Sequence, residues 1–94
     1  KPSSAASDVY KRQAEALAAL GAQRQVLVVT HLAQVAAAAD QQVVLSRVEG
    51  SSTTATTVVG EDRVAEVARM LSGSPDSAAA QAHATELLAS SQRR

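Results

Sequence analysis

Gln25-Val26-Leu27-Val28-Val29-Thr30-His31-Leu32-Ala33-Gln34-Val35-Ala36-Ala37-Ala38-Ala39 decides how this chain is read. Val26 to Val29 is a short apolar run without polar alternation, the pattern of a strand buried on both faces in a parallel sheet. Behind it, Leu32, Val35, Ala36 and Ala39 recur at i, i+3, i+4 and i+7, the stripe of an amphipathic helix. A buried strand feeding straight into a helix is one step of an α/β fold. In open sheets of that class the ligand crevice lies beyond the carboxyl ends of the strands. Thr30 and His31 stand at that junction. They have a plain reading, a capping threonine and a half-exposed histidine, and a chemical one, a polar pair placed where a phosphate would be sensed.

Working outward, Ala14, Leu17 and Leu20 share a helical face, and Gly21 offers a C-terminal cap. Gln25 to Thr30 is the expected buried strand. Gln42 to Val48 reads as a second strand nearer the sheet edge, and Glu49-Gly50-Ser51-Ser52 as a turn. Thr53 to Val59 is rich in β-branched residues and should complete an antiparallel hairpin that Gly60 breaks. Val64, Val67, Ala68 and Leu71 again show helical spacing, with Glu61 and Asp62 in the first turn where the helix dipole favours negative charge. Gly73 is the stop. Ser74-Pro75 reads as an N-cap followed by proline at the first helical position, and Ala80, Ala84, Leu87 and Leu88 as the inner face of the last helix. The expected order is α-β-α-β-β-α-α, with helices flanking an incomplete mixed sheet and no internal repeat.

The core material is thin. Apolar residues make up 46% of the 94, but 21 are alanine, tyrosine occurs once, and phenylalanine and tryptophan are absent. Each large side chain that is missing forgoes about 1.5–3 kcal/mol of burial. The chain opens at Lys1 rather than Met. It is therefore expected to be part of a longer protein that supplies more sheet and core. Lys1 to Ser7 is polar and structureless in character, and Val9-Tyr10-Lys11-Arg12-Gln13 resembles translated sequencing-adapter DNA. Residues 1–13 are expected to be a non-native or disordered leader, 14–90 the folded part, and 91–94 a polar tail. Without the leader, six Lys and Arg stand against eight Asp and Glu, so there is no basic footprint for direct nucleic-acid binding. With no cysteine there is neither a disulfide framework nor a thiolate metal site. No apolar run approaches the roughly 20 residues of a membrane span, and a cytoplasmic protein is expected.

Other candidate residues have plainer readings. Gln34 could face the cleft beside His31, but reads more readily as a solvated polar residue. His83, between Ala82 and Ala84, lacks the companions a metal site needs and reads as structural. Arg63, Glu66 and Arg69 read as a solvated helix face, with Glu66 and Arg69 an i, i+3 pair worth about 0.2–0.5 kcal/mol.

Three segments together carry a resemblance: Gln25 to Ala37 around Thr30-His31, Arg63-Val64-Ala65-Glu66-Val67-Ala68-Arg69-Met70-Leu71-Ser72-Gly73, and Ala82-His83-Ala84-Thr85-Glu86-Leu87-Leu88. In this order they resemble the C-terminal part of the RecN family, bacterial DNA-repair ATPases related to SMC proteins and more distantly to ABC ATPases. The likeness runs from about Ala14 to Ser90. Many relatives have proline where Ala33 stands, which suits a first helical turn equally well. The resemblance implies the C-terminal lobe of a P-loop NTPase head of ABC/SMC type, an α/β fold completed by chain outside this segment. It implies ATP and Mg2+ as ligands, held mainly by a phosphate-binding loop, a signature motif and an acidic strand that are absent here. This segment alone should therefore be inactive. It gives His31 the role of a switch histidine sensing the γ-phosphate, with Thr30 supporting the site or satisfying a backbone group. It implies as partners the missing N-terminal part of the head, a second head in a homodimer, and DNA through the parent, in a nucleoid-associated repair and recombination protein. Two other readings compete. One is the tail of another ABC-type ATPase, such as a transporter ATPase; the other is a small α/β interaction module without nucleotide chemistry.

Overall fold

The computed structural model describes residues 4–50 and 52–92. Its elements are α1 (Ser4–Gly21), α2 (Ala33–Ala38), β1 (Gln42–Val48), β2 (Ser52–Val58), α3 (Gly60–Ser72) and α4 (Ala78–Gln92). The described residues are thus mixed helix and strand, with one two-stranded antiparallel sheet among them.

The core is organised around α2. Ala33 and Ala37, one turn apart, pack on Val67, Ala68, Ala80, Ala84 and Leu87 of α3 and α4. Val35 and Ala38 pack the other way, on Ala14 of α1, flanked by Leu17 and Ala18. A helix of only six residues is thereby buried on two sides, which alanine permits because its methyl lets backbones approach closely. The expected inner face of α4 is correct: Ala80, Ala84 and Leu87 are buried and Leu88 is partly so.

The hairpin forms almost as read, in the register Gln42↔Val58 through Val48↔Ser52. Gln42, Val44 and Val58 are buried or half-buried, whereas Val43 and Leu45 lie exposed on the opposite face. Gly73 ends α3 in the left-handed region at φ 82°, its N–H bonded to Arg69 O at 2.6 Å. That is the single-bond αL cap.

Four expectations are overturned. The strand over 25–30 does not form, so the observed order is α-α-β-β-α-α. A strand buried on both faces needs a sheet to join and layers to cover it, and the sheet among the described residues is the β1–β2 hairpin, to which 25–30 is not paired. Leu27 is 93% exposed and Val29 89%, while Val26 and Thr30 are half-buried. Val28 is exposed as well, so the three central residues of the run lie uncovered.

Helix α1 begins at Ser4, ten residues before the expected start, and runs through most of the segment 1–13 expected to be a non-native or disordered leader. Good helix formers such as Lys11, Arg12 and Gln13 propagate it. At its far end Gly21 is not among the glycines with positive φ. The helix instead unwinds through i→i−3 bonds from Ala22 N to Ala19 O and Gln23 N to Leu20 O, and Leu20 is exposed.

The last helix starts at Ala78, not at Pro75. Ser77 is its cap, accepting the Ala80 N–H at 3.2 Å, while Ser74-Pro75-Asp76 forms a turn in which Ser74 Oγ accepts the Asp76 N–H. Two serines competed for one role, and the one followed by three alanines took it. The polar end of the chain is helical through Gln92, whose side chain returns to α2; Arg93 and Arg94 lie outside the described residues. No helix among the described residues is long and apolar enough to cross a membrane.

Candidate functional site

Thr30 and His31 occupy the bend between the irregular 25–30 segment and α2. Thr30 Oγ1 accepts the Leu32 N–H at 3.0 Å. Such an i→i+2 bond is the local hydroxyl-to-backbone turn that threonine favours. The Thr30 hydroxyl therefore does backbone work, one of the two roles open to it from sequence. His31 is exposed. Its imidazole stands in solvent between a turn fixed on one side by Thr30 and a helix packed on the other.

Gln34 does not join it. It is half-buried and lines an open depression of about 420 Å³ with Lys11, Glu15 and Ser90, which His31 does not line. His83 is exposed on α4, so its structural reading has no packing to rest on.

The expectation for Arg63 is overturned. Its side chain turns inward: Nη2 donates to Ala36 O at 3.1 Å and Ala39 O at 2.7 Å, and Nε to Gln42 Oε1 at 3.2 Å. Gln42 is itself buried, and its amide reaches Met70 Sδ. Burial pulls the Arg63 guanidinium below its usual value and the Asp40 carboxylate opposes that. An arginine starts so high that it stays charged at neutral pH. From the other direction, Gln92 Nε2 donates to Ala37 O at 2.8 Å and Ala39 O at 3.1 Å. Carbonyls that a helix leaves open at its C-terminus are thus met by two side chains from distant elements. The signal was present in the sequence. Arg63, Val67 and Met70 stand at i, i+4 and i+7, which places Arg63 on the buried stripe of α3.

Glu66 and Arg69 form the expected i, i+3 pair, although Glu66 is half-buried and not solvated. Arg69 Nε and Nη2 donate to the two Glu66 oxygens, joining an exposed arginine to a half-buried carboxylate one turn earlier. That hydrogen bond, with the carboxylate's charge, raises the Arg69 guanidinium above its usual value.

Among the described residues no three His, Asp or Glu side chains gather closely enough to hold a metal ion. These residues alone do not fit a magnesium site.

No protein-family model matches the chain. Curated relatives do. The chain is 49% identical over 84 residues to the DNA repair protein RecN of Treponema pallidum, covering 86% of this chain and 15% of that protein. It is 51% identical over 75 residues to the DNA repair protein RecN of Streptomyces coelicolor, covering 77% and 13%. For that of Deinococcus radiodurans the identity is 49% over 79 residues, covering 81% and 14%. The chain therefore spans about one seventh of the length of the relatives it matches.

Proposed function

Because this chain belongs to the RecN family of DNA repair proteins, we propose that it is the C-terminal lobe of that family's ATPase head, in a cytoplasmic, nucleoid-associated parent that acts in DNA double-strand-break repair and recombination. His31 is its γ-phosphate-sensing residue. The observation that carries the reading is the placement of His31: exposed at the mouth of an apolar segment, directly before a helix buried on two sides.

Hydrolysis of a phosphoanhydride is catalysed chiefly by positioning and by stabilising charge on the transferred group. An imidazole suits this work because a ring N–H can donate to a phosphate oxygen while the ring itself stays rigid. His31 would hold the terminal phosphate in line for attack by water and register its presence. Thr30 serves by fixing the turn through Leu32 N–H. The residues that bind the rest of ATP and its magnesium ion belong, in this reading, to the parent outside these 94 residues. A second head would close over the nucleotide, and DNA would be engaged elsewhere in the parent.

The exposure of Leu27 and Val29 favours a lobe over a free-standing interaction module, because a module has no reason to leave its most apolar run uncovered. The test is His31→Ala in the full-length parent. ATP affinity should stay within about threefold and turnover should fall by about 10²-fold or more, the scale of losing one oriented donor to a transition-state anion. Turnover at the normal rate in that variant rejects the role.

A further inference from the structure

Helix α2 is too short to hold itself. Isolated helices below about 12–15 residues are marginal in water, and α2 has six, with no side-chain cap at its N-terminal end. What fixes it end-on is the pair of donors at its C-terminus. Arg63 spans Ala36 O, Ala39 O and Gln42 Oε1, and Gln92 spans Ala37 O and Ala39 O. Apart from Val35, the lateral packing of α2 is through alanine methyls, which oppose sliding along the helix axis weakly. Hydrogen bonds to terminal carbonyls oppose it directly. At the opposite end the Thr30–Leu32 turn joins α2 to His31 without an intervening flexible residue.

We propose that Arg63, assisted by Gln92, is a positioning residue for His31: it sets the axial position of α2 and so the place where the imidazole meets the phosphate. The inference rests on the switch role given to His31 above. An arginine is needed because its planar fork reaches three acceptors at once; a lysine keeps the charge and offers a single nitrogen.

The experiment measures kcat and KM for ATP in the full-length parent for wild type, Arg63→Lys, Gln92→Leu, His31→Ala and the Arg63→Lys/His31→Ala double variant, with melting temperatures alongside. Misplacing a reacting group by about 1 Å can cost about 10²-fold. Arg63→Lys is therefore expected to lower kcat about tenfold or more while KM and melting temperature hold. Residues acting as a unit are not additive, so the double variant should be no slower than His31→Ala alone. A purely structural Arg63 would lower the melting temperature without separating kcat from KM. Wild-type kcat in Arg63→Lys, or a loss that multiplies in full with that of His31→Ala, overturns this inference and leaves the switch role standing. Normal turnover in His31→Ala removes both. Should Arg63→Lys fail to fold, Gln92→Leu decides: a fall in kcat at unchanged KM supports the positioning role, and wild-type kcat overturns it.

Discussion

Replacing Leu27 and Val29 together by threonine compares the same residues in two settings. In this chain they are 93% and 89% exposed, so losing their apolar surface should be nearly neutral; surface substitutions of this kind stay within about 0.5 kcal/mol. In the parent, if 25–30 is the buried strand its pattern describes, both side chains are covered. Burying one leucine or valine is worth about 1.5–3 kcal/mol relative to exposure, so the pair carries about 3–6 kcal/mol there. That is a large part of the roughly 5–15 kcal/mol that holds a domain together. Threonine is β-branched and favours strands, so neither substitution lowers local strand propensity and the loss reads burial. The assay is urea unfolding of the parent, read at constant slope, beside far-UV circular dichroism of the 94-residue chain. The expected result is a parent destabilised by at least about 3 kcal/mol and a short chain whose spectrum does not change. A parent that tolerates both substitutions within about 0.5 kcal/mol refutes the buried-strand argument, and with it the lobe.

Two further changes test local structure. Ser77→Ala removes the side chain that caps α4 and should cost about 0.5–2 kcal/mol, whereas Ser74→Ala should cost less than about 0.5 kcal/mol; equal losses in thermal melts would reverse the assignment of the cap. Gly73→Ala meets no atom within 4 Å but must adopt φ 82°, so its cost is backbone strain alone, about 1–2 kcal/mol, and an unchanged melting temperature would contradict the left-handed cap.

Much of the fold was legible because it depends on near neighbours. The hairpin followed from two β-rich runs around Gly50, and the end of α3 from a glycine behind a periodic stripe. What sequence missed depends on distance or competition. The 25–30 run has strand chemistry and no strand partner, since pairing is a property of the neighbour as much as of the residues. Ser74 and Ser77 offer the same capping chemistry three positions apart, and only the way the chain turns at Pro75-Asp76 separates them. At the candidate site, Thr30 and His31 were legible as a pair at an element junction. Arg63 was not, because charge suggested solvent while its spacing with Val67 and Met70 placed it on the buried face. Gln92 lay in what read as a tail, and its role depends on α4 running back alongside α2.

The tether on α2 also has a temporal side. Its carbonyls are met by Arg63, 24 to 27 residues further along, and by Gln92, 53 to 55 residues further along. Synthesis from the N-terminal side therefore produces the six residues of α2 well before the side chains that meet its carbonyls, and cannot seat them until α4 has been made. Domains fold as units once their sequence is available, and this segment is an extreme instance, since a helix that short has no standing of its own. His31 is held back from its fixed position until the last turn of α4 arrives. A molecule interrupted anywhere between Arg63 and Gln92 would carry His31 beside an incompletely anchored helix.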